Sequence, residues 1–220
     1  MKKLFVVLLI IFLPIYIFLK GMEINVFNKN FYIKAYEKYN VEEISGKTLK
    51  ELDTVTEKIF IYLKDKGDEE VLRPYFNTRE IKHMEDVKLL FKNGYILKYI
   101  SFILSLIIIL VSIKNKKWKM EKELFYGLFI WWGLIGLLLI LVFVDFNKYF
   151  TYFHKIFFRN DLWLLDPNTD LLIQMLPEQF FIFIFSRILL FFFIVLAIIQ
   201  MSCYIIMRKE EDNSGWINKF

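Results

Sequence analysis

Four long runs of apolar residues alternate with polar segments along the chain. They cover residues 1–20, 95–113, 124–146 and 179–207. Each run is close to or above the length of about 20 residues that an α-helix needs to cross the hydrocarbon core of a bilayer. The pattern therefore predicts an all-α integral membrane protein with four transmembrane helices.

The first run also has features of a secretory signal peptide, because Lys2 and Lys3 precede its apolar core. It is long for such a peptide, and Lys20-Gly21-Met22 lacks a cleavage site of the small-x-small type. We therefore interpret the run as an uncleaved first transmembrane helix. Pro14 is expected to kink it.

The polar segment between the first and second runs predicts a small, mainly helical cap. Two capping boxes, Thr48 to Glu51 and Asn77 to Glu80, each indicate the start of a helix. Glycines mark the expected ends, Gly67 for the first helix and Gly94 for the second. Residues 27–39 are aromatic and irregular, which favours short strands or a segment rich in turns.

The basic residues predict the orientation of the helices in the membrane. They cluster at the N-terminus, in the loop 114–123 and at the start of the tail 208–220. Because short cytoplasmic segments carry an excess of Lys and Arg, we expect both termini to be cytoplasmic. The cap, residues 21–94, and the loop 147–178 then lie on the outer face.

Composition excludes several classes of site. The single cysteine, Cys203, excludes a disulfide framework, and one Cys with two His cannot form a structural zinc site. No P-loop or dinucleotide fingerprint occurs, so we expect no nucleotide. The net charge of +5 is accounted for by the cytoplasmic membrane face, without nucleic acid. No cofactor or metal is predicted.

Both histidines fall in the segments predicted to lie outside. His83 has Glu80 and Asp86 one helical turn away, and such carboxylates would orient an imidazole and favour its protonated form. His154 lies among aromatic residues that are typical of a helix in the membrane interface. Either residue alone is explained by packing. Two histidines on one face also suit general acid–base chemistry near neutral pH.

The loop after the third span is unusually polar. Asn160, Asp161, Asp166 and Asp170 are compatible with turns and helix caps as well as with a binding site. Trp163 is equally compatible with an anchor at the lipid headgroups.

Arg187 lies about 12 Å along the fourth run, where a charge is costly and usually has a partner. We expect pairing with Asp145, the nearest acidic residue at the end of the third run.

The order and spacing of the polar motifs resemble a bacterial family of membrane proteins that includes the lipoprotein intramolecular transacylase. The resemblance extends over nearly the whole chain and rests on His83-Met84-x-Asp86-Val87, Phe153-His154, Asn160-Asp161-x-Trp163, Asp166-Pro167, Asp170-x-Leu172-Ile173, Pro177 and Phe180-Phe181.

The resemblance implies an acyltransferase of the bacterial cytoplasmic membrane, with its active site on the outer face. Its substrate would be a diacylated lipoprotein in contact with membrane lipid. The sn-2 acyl chain of the diacylglyceryl group would move to the α-amino group of the N-terminal cysteine. The resemblance implies catalysis by His83 and His154, and we assign His154 as the base. The expected binding or orienting residues are Asp86, Tyr152, Asn160, Asp161, Trp163, Asp170 and Arg187.

Two other functions are compatible with the residues alone. The chain could be a non-enzymatic membrane protein whose cap binds an extracytoplasmic partner, and both histidines would then be dispensable. It could also be a transporter that uses Arg187, although the inverted repeats typical of such proteins are not apparent.

Overall fold

A computed structural model describes the backbone of residues 1–115 and 118–217, with side chains to residue 210. This part of the chain is helical and contains no strand. Four candidate membrane spans are present, which confirms the predicted fold class. They are α1 (Lys2–Val26), α5 (Thr78–Lys114), the consecutive helices α6 (Glu121–Gly127) and α7 (Phe129–Val144), and α10 (Glu178–Ile217). Lys116 and Lys117 of the predicted cytoplasmic loop, and residues 218–220 of the tail, lie outside the described residues.

The first of two compact units comprises residues 1–22, 96–140 and 188–220. Its polar side chains bond across the helices: Trp131 Nε1 donates to the Ile10 carbonyl at 2.8 Å, and Trp132 Nε1 donates to Gln200 Oε1 at 2.6 Å. The Gln200 amide donates in turn to the Phe125 carbonyl at 3.0 Å. Because lipid offers no hydrogen bonds, these pairs satisfy groups that would otherwise be costly in the membrane.

The second unit comprises residues 23–95 and 141–187. Besides the adjoining ends of the long helices, it contains α2 (Lys29–Lys38), α3 (Val41–Ser45), α4 (Leu49–Leu63), a 3-10 turn at Glu69–Val71, α8 (Phe146–Phe157) and α9 (Leu171–Met175). Its core forms where α2 packs on α4, and the buried Tyr36 and Thr56 hydroxyls are hydrogen-bonded there at 2.7 Å.

The expectation of strands or turns at residues 27–39 is wrong, because this stretch forms α2. Asn28 caps the helix, and its side chain accepts the Phe31 N–H at 3.2 Å. Phe31, Tyr32, Ala35 and Tyr36 recur at helical spacing and are all buried. Burial of this stripe outweighs the modest preference of the aromatic residues for strands.

The two predicted capping boxes are present, but both predicted helix ends are wrong. α4 ends at Leu63, and Asp65 adopts the left-handed conformation expected for Gly67. α5 continues through Gly94, which remains helical, to Lys114. A single glycine costs only about 1 kcal/mol in a helix, and an unbroken helix keeps its backbone groups paired next to the membrane.

α5 is longer than a membrane requires. Its 37 residues extend over about 55 Å, whereas the hydrocarbon core is about 30 Å thick. Its apolar stretch begins near residue 95. The segment 78–94, which is rich in charged residues, therefore precedes the part that can span lipid. His83 therefore lies on a helical extension outside the hydrocarbon-crossing segment.

We predict that Gln200→Leu destabilises the first unit. The substitution leaves the Trp132 N–H without its acceptor and should lower the free energy of unfolding by about 1 kcal/mol. Thermal unfolding in detergent would measure the change. Ser202→Ala is the matched control, since Ser202 is exposed and its hydroxyl donates to the Ile198 carbonyl of its own helix. An unchanged midpoint for Gln200→Leu would contradict the prediction.

Candidate active site

The two histidines face each other within the second unit. Their ring centroids are 6.1 Å apart, with an interplanar angle of 36°. His83 is carried by the second turn of α5 and His154 by the last turn of α8. Their exposed fractions are 8% and 6%. Two residues distant in the sequence thus form one buried pair.

Aromatic rings enclose this pair. The Phe158 ring centroid lies 5.4 Å from that of His83 and 5.5 Å from that of His154. Trp163 stacks on His154 at 4.8 Å with an angle of 29°, and Phe150 lies 4.2 Å from the same imidazole. The rings exclude water from the imidazoles, which strengthens electrostatic interactions between them and any bound group.

The tautomer of His154 follows from its hydrogen bond. Its Nδ1 lies 2.7 Å from the Phe150 carbonyl oxygen, which can only accept, so Nδ1 carries the proton. In the neutral ring the lone pair is then on Nε2. Burial lowers the pKa of His154, and the bond to Phe150 opposes this effect in part. His154 is thus held as a neutral imidazole with a basic Nε2.

His83 is also held neutral. Burial, reinforced by the neighbouring His154, lowers the pKa of His83 to about 4, although Asp86 opposes the shift. Its Nδ1 is buried and has no hydrogen-bond partner among the described residues. Asp86 favours the protonated form as expected, but desolvation outweighs its charge, and Glu80 makes no such contribution.

Asp86 and Asp161 connect α5 to the loop that follows α8. The Asn160 amide donates to Asp86 Oδ2 at 2.8 Å, and the Arg79 guanidinium donates to the Asp161 carbonyl at 2.8 Å. The Asp161 contact uses the backbone, so its side chain has no part in this bond. These predicted site residues support the histidine pair from outside it.

Asp170 makes a third connection. Its Oδ1 accepts the Asn77 amide at 2.8 Å, and its Oδ2 accepts the Asp166 N–H at 2.8 Å. It thereby joins the first turn of α5 to the start of α9. Asp170 therefore links two segments of the backbone rather than contacting an imidazole.

Two predicted site residues, Tyr152 and Arg187, make their contacts outside the histidine pair. Tyr152 is 47% exposed, and its ring packs against Tyr149 at 5.9 Å. Arg187 donates through Nε to Asn25 Oδ1 at 3.2 Å, and its guanidinium lies 5.3 Å from the Phe31 ring. The predicted partner Asp145 instead caps α8 by accepting the Lys148 N–H. Asn25 was missed because an uncharged partner leaves no charge pattern in the sequence.

The sequence did not reveal the roles of two residues in this region, Phe158 and Glu80. Phe158 follows His154 by one helical turn, which was a usable signal. Glu80 was expected beside His83, but its carboxylate binds the N–H groups of Leu172 and Asn77. Among the described residues, no group of three or more His, Cys, Asp or Glu could hold a metal ion.

We predict that His83 makes stability depend on pH. An unfolded histidine binds a proton near pH 6.5, whereas folded His83 does so near pH 4. As the pH falls through this window the unfolded state binds more protons, so stability is lost, by on the order of 3 kcal/mol. Thermal unfolding of wild type and His83→Leu at pH 7 and pH 4 would measure it. Equal losses in both proteins would contradict the prediction.

Comparison with known proteins identifies relatives of this architecture. The model of the family described as lipoprotein intramolecular transacylase Lit matches residues 7–181. A comparison with curated proteins gave no match.

Solved structures of the membrane integral lipoprotein intramolecular transacylase Lit from Bacillus cereus are similar over almost the whole chain. One has a TM-score of 0.81 and 25% identity, and the alignment covers 98% of each chain. A variant with a histidine-to-arginine substitution has a TM-score of 0.77 and 25% identity, covering 98% of this chain and 94% of the other. A histidine-to-alanine variant, 24% identical with 96% of each chain covered, shares the fold at a TM-score of 0.80.

The family model covers most of the chain, and this sets aside the partner-binding and transporter interpretations. The protein therefore belongs to the Lit family of lipoprotein intramolecular transacylases and is an acyltransferase integral to the membrane.

Proposed function

We propose that the protein moves the sn-2 acyl chain of a diacylglyceryl group to the α-amino group of the N-terminal cysteine of the same lipoprotein. The product is an N-acyl, S-monoacylglyceryl lipoprotein, the lyso form. The observation that carries this proposal is the buried pair of neutral histidines, 6.1 Å apart and surrounded by aromatic rings.

The reaction needs one proton to move from nitrogen to oxygen. The neutral amine attacks the ester carbonyl, the new N–C bond forms, and the nitrogen becomes acidic. We assign His154 Nε2 as the base that takes this proton, since its Nδ1–H is committed to Phe150. The ester C–O bond then breaks, and His154 returns the proton to the glyceryl oxygen. Such proton transfers typically contribute about 10²–10⁴-fold in rate.

His83 has a different part in the proposed reaction. A group with a pKa of about 4 is uncharged at neutral pH, so it acts as a hydrogen-bond donor through a neutral N–H and not as an imidazolium. Its partner would be the oxygen that becomes negative when the amine adds to the ester. A donor aimed at developing charge in a dry site is an effective source of catalysis.

The aromatic enclosure would favour transfer over hydrolysis. Amine and ester belong to one molecule, so holding them together makes the attack intramolecular. Phe158 and Trp163 cover the imidazoles, which keeps water from competing for the acyl group. The remaining predicted residues would act around this centre. Asp86, Asn160, Asp161 and Asp170 would orient the loop, while Tyr152 and Arg187 would bind or orient the substrate from outside the histidine pair.

We also propose the orientation in the membrane. Both termini, the loop 114–123 and the tail 208–220 would be cytoplasmic, and the cap 21–94 and the loop 147–178 would face outward. The distribution of Lys and Arg supports this arrangement. The active site would then lie at the outer face of the bacterial cytoplasmic membrane, where lipoproteins carry their diacylglyceryl group.

Mass spectrometry of a reporter lipoprotein tests the proposed reaction. In a host that makes only diacylated lipoproteins, expression of this chain should convert the N-terminal lipopeptide to an isomer of unchanged mass whose fragments contain an N-acyl cysteine. A lipopeptide that keeps its free amine, despite good expression of the folded protein, would refute the proposal.

His154→Ala and His83→Ala should each abolish most conversion, with a loss of about 10²-fold or more. The loss follows from removing the base in one case and the donor in the other. Lys155→Ala and Lys82→Ala are matched controls, because each is an exposed neighbour on the same helix. Full conversion by either histidine variant would exclude that residue from the mechanism.

Trp163→Ala should divert part of the reaction to hydrolysis. Without the stacked indole, water reaches the acyl group, so free fatty acid and a lyso lipopeptide with a free amine should appear. Trp163→Phe keeps an aromatic ring over His154 and should release much less fatty acid. Gas chromatography of released fatty acid, together with the lipopeptide spectra, measures the ratio. An unchanged ratio in Trp163→Ala would contradict the assigned function of the indole.

A further inference from the structure

Glu80 is the least exposed charged side chain among the described residues, at 2%. It lies in the first turn of α5, one turn before His83, and the proposed proton transfers do not use it. Its Oε2 accepts the Asn77 N–H at 2.8 Å, while Asn77 Oδ1 accepts the Glu80 N–H at 3.0 Å. These two bonds form a capping box.

The cap alone does not explain the burial of this carboxylate. Glu51 forms the same box with Thr48 at the start of α4, and it does so while exposed. Burying a carboxylate is costly unless its oxygens are hydrogen-bonded. At Glu80 the second oxygen has its own bond, because Oε1 accepts the Leu172 N–H at 2.7 Å. Glu80 is therefore buried where it makes a hydrogen bond to Leu172, and Glu51 makes no corresponding bond.

Leu172 belongs to the segment that closes over the histidines. It lies in α9, where Leu171, Leu172 and Met175 are buried. The segment from Phe158 to Leu172 begins with the ring that touches both imidazoles and also carries Trp163. The bond from Leu172 to Glu80 thus fixes the far end of this segment on the helix that carries His83.

Three further bonds hold the same segment but differ from that of Glu80, and the first of them, from Arg79 to the Asp161 carbonyl, is exposed. Asn77 donates to Asp170 beside Leu172, and Asn160 donates to Asp86 beyond His83. The Asp86 pair is exposed, and so is subject to competition by water. The bond between Glu80 and Leu172 differs from the others in being fully buried, so water competes with it least.

We propose that Glu80 is a positioning residue for the acyl transfer, fixing the segment 158–172 on α5 so that Phe158 and Trp163 cover the histidine pair. This role deepens, and rests on, the proposed function of the site. Glutamate suits it because both carboxylate oxygens accept. Glutamine offers one accepting oxygen, and its NH₂ group would face the second N–H. Glu80→Gln therefore breaks one of the two bonds with almost no change of shape.

The test compares Glu80→Gln with Glu51→Gln in the full-length protein. Glutamine can still form a capping box through its one oxygen, so Glu51→Gln keeps its bond, whereas Glu80→Gln can no longer accept from both Asn77 and Leu172. We expect Glu80→Gln to slow N-acyl product formation by about tenfold at saturating substrate and to raise the share of acyl groups lost as free fatty acid. Glu51→Gln should leave the rate per folded enzyme and the product ratio unchanged.

The product ratio separates positioning from stability. A residue that only stabilises the fold lowers the amount of active enzyme, but the remaining enzyme keeps the wild-type ratio of transfer to hydrolysis. If Glu80→Gln keeps this ratio and its rate per folded molecule equals that of wild type, the proposal is overturned. Thermal unfolding of each variant supplies the folded fraction. Glu80→Ala, which removes both bonds, should show the same change in ratio more strongly if it folds.

Amide hydrogen exchange decides the proposal independently of activity. In Glu80→Gln, the peptides that cover residues 158–172 should exchange faster than in wild type, and those of α4 should not. Glu51→Gln, which keeps its capping box, should leave both regions at the wild-type exchange rate. Equal exchange of residues 158–172 in wild type and Glu80→Gln overturns the role of Glu80 even if the reaction occurs. Faster exchange together with an inactive wild type supports the positioning role and refutes the proposed reaction instead.

Discussion

The active site depends on the hydrogen bonds that hold the segment after α8 against the first turns of α5. His83 and His154 lie on different helices, and nothing in either helix brings the imidazoles together. The bonds of Glu80, Asn77 and Asp86 join that segment, which carries Phe158 and Trp163, to the helix that carries His83. Polar contacts here set the position of the apolar ones.

That enclosure in turn decides the electrostatics. A histidine in water is about half protonated near pH 6.5. In this site, loss of hydration lowers the pKa of both rings, and it outweighs the nearby Asp86 at His83 and the Phe150 bond at His154. Neutral imidazoles suit a transfer in which one proton passes from nitrogen to oxygen with no net uptake. The proposed reaction would thus rely on geometry and exclusion of water more than on fixed charge.

Local features were predictable from the sequence because their causes lie within a few residues. The capping boxes at Thr48 and Asn77 each involve neighbours three positions apart, and both are present. α2 was missed since its aromatic residues suit strands locally, and only burial against α4 makes them helical. The helix end predicted at Gly94 is wrong for a similar reason. A single glycine destabilises a helix only slightly, which is not enough to end a long helix at a membrane.

The sequence by itself determined the membrane class and the four spans, because hydrophobic length is a property of the chain, and its resemblance to the transacylase family singled out the two histidines as the proposed chemical centre. Only the tertiary structure decided the state and the partners of the proposed site residues. It fixed the Nδ1–H tautomer of His154, the neutral state of His83, the Leu172 bond of Glu80 and the pairing of Arg187 with Asn25. These depend on desolvation and on contacts between residues far apart in the chain, which no local pattern encodes.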